Sequence, residues 1–173
     1  QHNDLNIVAR SKNYYADGMS EYYKGNIAGM DKVILQLAGE RLAEATKASD
    51  KGIRLCGNIG RSIATVTDLQ ESEAMEMELR AMRSWLAKEA AATEKYLQQA
   101  TALQTSAGYS DGPPAIAKPT FEMYGEWLLE NGRTKDALAQ FETSLRYAPN
   151  RLLSLKGKEV AEKHLKSIGM AAL

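Results

Sequence analysis

The stretch Lys118 to Asn150, KPTFEMYGEWLLENGRTKDALAQFETSLRYAPN, decides how the chain is read. Its first half places Phe121, Tyr124 and Leu128 at helical spacing, with Gly125 beside Tyr124. Its second half places Ala137, Phe141 and Leu145 on one stripe and stops at Pro149. Asn131-Gly132 separates the halves, so the stretch predicts one helical hairpin. A glycine inside a helix costs about 1 kcal/mol against alanine. Gly125 is therefore expected to mark a close approach of the second helix, with Ala137 as the small residue opposite it.

The order of these residues resembles the tetratricopeptide repeat, in which W-x2-L-G-x2-Y is followed by A-x3-F and then P. Phe121 stands at the Trp place, Tyr124 at the Leu, Gly125 at the Gly and Leu128 at the Tyr. Ala137, Phe141 and Pro149 follow in register. The wider run from Met75 to Lys163 is similar to the C-terminal part of larger bacterial tetratricopeptide-repeat proteins, where a Pro-rich loop precedes a Gly-centred hairpin. Gly112, Pro113, Pro114 and Pro119 match before the hairpin, and Asn150 and Arg151 after it. Members of that group usually carry further repeats upstream and often a secretion signal. The resemblance implies a right-handed, all-α solenoid that is a fragment or shortened relative of a longer superhelix, in a secreted or periplasmic setting.

Outward from that hairpin, the pattern repeats in weaker form. From Asp4 to Lys24 the apolar residues Leu5, Val8, Tyr15, Met19 and Tyr22 recur at helical spacing until Gly25-Asn26. Asn26 is the expected N-cap of a second helix, which runs to Ala48 with Ile27, Met30, Ile34, Leu37 and Leu42 on its buried face. The separation of Gly18 from Gly25 equals that of Gly125 from Gly132, which puts Met30, Ile34 and Leu37 in register with Ala137, Phe141 and Ser144. A middle copy opens at Thr67 or Ser72, carries Leu79, Met82 and Leu86, and turns near Lys88-Glu89. Thr93, Leu97 and Ala100 then align with the same three positions, and Ala81 takes the small-residue place. Residues 151–168 predict a capping helix with Leu152, Leu155, Val160 and Leu165 inward and its lysines outward, as the end of a repeat array requires. The expected organisation is one solenoid of three degenerate repeats, 4–48, 67–106 and 118–149, plus this cap. Residues 49–67 read as a connection, and 107–118, with Pro113-Pro114, as an extended surface loop.

Composition narrows the function. The 173 residues carry 22 basic and 22 acidic side chains, so the charge footprint of a nucleic-acid binder is missing. No apolar run approaches the roughly 18 residues of a membrane span. His2 and His164 stand at opposite ends of the chain with no Cys or carboxylate cluster at ligand spacing, so no metal site and no cofactor are expected. No serine sits in a Gly-x-Ser-x-Gly elbow. Cys56 has no basic neighbour to activate it and reads as a small semi-buried hydrophobe. Gly57 to Ser62 has the glycines of an anion nest but lacks the Lys-Ser/Thr end of a phosphate loop. A non-enzymatic role follows.

In tetratricopeptide arrays the first helix of each hairpin lines a concave groove. Carried over in register, the resemblance lines that groove with Lys12, Tyr15, Met19 and Tyr22, then Glu78, Met82 and Trp85, then Glu122, Glu126, Leu129 and Glu130. Tyr, Trp and Met are enriched where surfaces bind other chains, so the expected function is a protein or peptide scaffold. Glu122, Glu126 and Glu130 add a negative wall suited to an extended segment carrying Lys or Arg beside an aromatic or aliphatic residue. Two rivals stand beside this. The chain is a structural or self-associating end of a larger superhelix, marked by an exposed apolar face on the Asp4 to Lys24 helix and pairing through it. Alternatively it holds a small-ligand or enzymatic site under the Pro-rich loop, near Tyr109 and Asp111.

Overall fold

Three turns with one backbone geometry organise the computed structural model, which describes residues 5–50, 64–107 and 116–171. The described residues form seven α-helices packed in antiparallel pairs, with no strand among them. They are α1 (Ile7–Tyr23), α2 (Ile27–Asp50), α3 (Val66–Leu86), α4 (Ala90–Ala107), α5 (Thr120–Glu130), α6 (Thr134–Tyr147) and α7 (Leu152–Ala171). Helices α1–α2, α3–α4 and α5–α6 are hairpins, each turning on a residue of positive φ: Gly25 at 70°, Lys88 at 62° and Gly132 at 72°. At each turn that residue's N–H donates to the carbonyl three residues back: Tyr22, Trp85 or Leu129. The next N–H reaches five back, to Glu21, Ser84 or Leu128, at 2.9 Å in all three. These bonds satisfy the last carbonyls of the first helix and start the second.

Equivalent positions around the turns are buried alike. Before the turn these are Gly18, Ala81 and Gly125. After it they are Met30, Thr93 and Ala137, then Ile34, Leu97 and Phe141, then Leu37, Ala100 and Ser144. Caps fix the helix starts. Asn6 accepts from the Ala9 N–H at 2.8 Å and Asn26 from the Gly29 N–H at 3.0 Å. Helix α3 begins at Val66, six residues before Ser72 and one before Thr67, because Thr65 and Asp68 form a reciprocal capping box.

The chain forms two compact units, Gln1–Ala117 and Lys118–Leu173, with the division inside the expected Pro-rich loop. In the first, α3 packs against α1, α2 and α4. Its core holds Met30, Leu37, Met75, Leu79 and Leu97, and Leu79 lies over Gly18. Leu42, expected in this core, is 65% exposed; on that stretch of α2 the inward positions are taken by Arg41 and Glu44, which are ion-paired to neighbouring helices.

In the second unit α7 packs against both α5 and α6. Phe141 is fully buried, and its ring lies against Gly125 of α5 and Gly157 of α7, so that a Cβ at either place would stand within 2.8 and 2.4 Å of it. Gly125 thus makes room for the Phe141 ring rather than for Ala137. The ring of Phe121 stacks on Tyr147 at 5.5 Å between centroids. The cap helix is turned differently from the expectation: Leu152, Leu155 and Val160 are 61%, 44% and 42% exposed. Ser154, Gly157 and Ala161 face inward instead, because the bulk at this contact comes from Phe141 and small residues must meet it.

Candidate functional site

The residues expected to line a groove fall into three groups. Tyr15, Glu78, Met82 and Glu122 are buried; Lys12, Met19, Tyr22, Trp85, Glu126 and Leu129 are half-buried; Glu130 is exposed. The seven on α1 and α3 belong to one unit, where those helices pack together, and the four on α5 belong to the other. The expected acidic wall does not form as a solvated stripe. Glu122 has no exposed surface: both its oxygens accept from Arg151, at 2.7 and 2.9 Å, and the Ser154 hydroxyl donates to it at 2.7 Å. Ser154 also meets Ser144 at 2.9 Å, which extends the cluster from α5 through α7 to α6. A buried carboxylate persists only with such partners. Glu126 is bonded to Lys118.

The first unit carries a larger polar network. Arg10 of α1 binds Glu40 at 2.9 Å and Glu44 at 2.8 Å on α2, and Lys47 also donates to Glu44. Burial pushes the Glu44 carboxyl up, but the bonds from Lys47 and Arg10 outweigh it and hold the group below its ordinary value. The Tyr14 hydroxyl donates to Glu40, and with burial and the Glu40 charge this raises the phenol above its ordinary range. Between α2 and α3, Arg41 binds Glu76 at 3.0 Å and Arg83 binds Asp31 at 2.9 Å. Ser11 and Ser72 join α1 to α3 at 2.7 Å. Periodicity alone missed these groups, since it assigns Arg and Glu outward; the signal that would have found them is charge of opposite sign on the facing stripes of α1, α2 and α3.

A cleft of about 470 Å³ opens between α2 and α4 with α3 as its floor. Arg80, Arg83 and Ser84 form the floor, Ile34 and Leu35 one wall, and Ala92 and Tyr96 the other. Arg83 is held by Asp31 and by Glu89 at 3.0 Å, and the Asp31 bond leads the causes that raise its pKa. Sequence reading did not single out this cleft.

The marks of the rival readings are placed as follows. On α1, Ile7 and Val8 are buried; Leu5, just before the helix, is exposed. Tyr109 and Asp111, Cys56, His2 and the Gly57 to Ser62 segment lie outside the described residues. His164 is exposed on α7. Among the described residues no cluster of His, Cys, Asp and Glu could hold a metal ion, and no helix is long and apolar enough to cross a membrane. Comparison of the chain with known protein families, curated proteins and solved structures finds no match.

Proposed function

We propose that the chain is a non-catalytic scaffold of tetratricopeptide-like hairpins that binds a segment of another protein. The observation that carries this reading is the recurrence of one hairpin: the same turn bonds at Gly25, Lys88 and Gly132, with the same buried positions on either side. The seating of α3 on both helices of the α1–α2 hairpin, and of α7 on both helices of α5–α6, supports it further. That arrangement lets successive hairpins stack, and rigid stacked helices bind with little ordering cost.

The binding surface in this reading lies on α1 and α3, where Lys12, Met19, Tyr22 and Trp85 are half-buried and present both apolar body and polar tips. Glu122 lies in the other unit and is committed to Arg151, so the expected acidic wall takes no part in this surface. Aromatic anchors then supply most of the affinity. A peptide-array screen of the purified chain tests the reading. It should enrich segments with an aromatic or aliphatic anchor, and Trp85→Ala should weaken the best of them by about tenfold or more. No enriched peptide, or enriched peptides that bind the folded Trp85→Ala variant equally well, would remove the proposal.

A further inference from the structure

The cleft between α2 and α4 has two chemically different ends. Helices α3 and α4 run antiparallel about the Lys88 turn, so Arg80, eight residues before it, stands level with Tyr96, eight after it. The pairs Asp31–Arg83 and Arg41–Glu76 run α2 antiparallel to α3, which brings Leu35 to the same level as Arg80. At the turn end, Arg83 is occupied by two carboxylates, Asp31 and Glu89. At the other end, the Nε of Arg80 donates to Glu76 at 2.9 Å, while among the described residues both its Nη atoms lack a partner. The Tyr96 hydroxyl likewise has none among the described residues. Leu35 stands at the lip, 70% exposed.

We propose that this cleft binds a carboxylate carrying a short apolar or aromatic group. The carboxylate sits on the Arg80 guanidinium and accepts from the Tyr96 hydroxyl, and the apolar group lies along Leu35 and Ala92. Three features select this chemistry. The free edge of a guanidinium matches the two oxygens of a carboxylate. Asp31 and Glu89 repel an anion from the turn end and so direct it to Arg80. A doubly charged phosphate would face Asp31 and Glu89 with a single unsaturated cation to hold it. The volume lies within the roughly 300–1,000 Å³ of small-ligand sites. None of the residues proposed above to hold a protein segment lines this cleft.

Such a carboxylate arrives either as a free acid or as the C-terminus of a peptide. Titration calorimetry of the full chain with phenylbutyrate, and with a tetrapeptide ending in a free C-terminal leucine, separates the two sources, each run beside its amide. The proposal expects at least one carboxylate to bind, its amide to bind about tenfold or more weakly, and Arg80→Gln to bring the same loss. Tyr96→Phe should weaken binding severalfold, with Arg80→Lys recovering part of what Arg80→Gln loses. If Arg80→Gln fails to fold, the amide comparison on the unaltered chain and the Tyr96→Phe variant decide the matter. No binding by either carboxylate at millimolar concentration, equal binding of acid and amide, or unchanged binding by a folded Arg80→Gln variant would overturn it.

Discussion

Hairpins α1–α2 and α5–α6 each seat a following helix across both their members, yet the chemistry of the two seats differs. In the first, α3 lies on α1 through an aliphatic side chain, Leu79 over Gly18, and is tied to α2 by Arg41 on the buried Glu76 and by Arg83 on Asp31. In the second, α7 meets a planar ring held between two glycines, and the polar link, Glu122 to Arg151 and Ser154, is buried. An aliphatic side chain can change rotamer when its neighbour grows; a buried ring already pressed by two helices has far less room to do so. The same backbone arrangement therefore tolerates change in one unit and resists it in the other.

The contrast is broken most severely at Phe141. Phe141→Ala should destabilise the Lys118–Leu173 unit by about 3–5 kcal/mol, because two glycines then border an empty space that no side chain nearby can fill. Chemical denaturation measures this, and a loss below about 1 kcal/mol would mean that the ring does not hold α7. Glu122→Gln keeps the shape and removes the charge facing Arg151, and should lower stability by about 1–3 kcal/mol. Arg151 keeps access to water, so the loss should sit toward the lower value.

Smaller effects test the turns and margins. Lys88 holds a backbone conformation that Gly25 and Gly132 hold without strain. Lys88→Gly should raise stability by about 0.5–1 kcal/mol, while Gly25→Ala and Gly132→Ala lower it by a similar amount. Thermal melting of the three variants would show whether the turns are equivalent in energy as well as in bonding. Least in size is Glu71 of α3, which has no hydrogen-bond partner among the described residues. Burial, and then the charge of Asp68, raise its carboxyl above the ordinary 4.5. A raised carboxyl favours the fold below the unfolded value, and that contribution is lost as pH rises through the folded one, so at pH 7 its ionisation opposes folding. Glu71→Gln should stabilise by less than about 0.5 kcal/mol at pH 7, and the gain should vanish near pH 4.

The hairpins were legible because their information is local. Asn131-Gly132 and Gly25-Asn26 announce turns by composition, and the third turn, at Lys88, followed from aligning Thr93, Leu97 and Ala100 with positions of the other two hairpins rather than from its own residue. Orientation of the outer helices was not legible. Leu152, Leu155 and Val160 make an apolar pattern on α7, but the surface that α7 meets is already filled by Phe141, so Ser154, Gly157 and Ala161 turn inward. Gly157 has no mark in the sequence, since its partner lies on another helix and nothing beside it signals a close approach. Glu122 was hidden for a related reason: spaced with Glu126 and Glu130 it reads as a solvated stripe, and the arginine that allows its burial is 29 residues away. The cleft at Arg80 was likewise beyond periodicity, because its walls come from α2 and α4 and only antiparallel packing brings them level.

The difference between the two seats is tested most directly by adding one methyl group to each. At Gly157 a Cβ would stand 2.4 Å from the Phe141 ring, which also lies against Gly125. At Gly18 a Cβ would stand 2.4 Å from the end of the Leu79 side chain, which can rotate away; the gain of about 1 kcal/mol in helix propensity is common to both positions. Urea denaturation of Gly157→Ala and Gly18→Ala, read beside the unaltered chain, should give a loss of about 1–3 kcal/mol for the first and a change within about 1 kcal/mol of zero for the second. Equal losses at the two positions, or a larger loss at Gly18, would contradict the account.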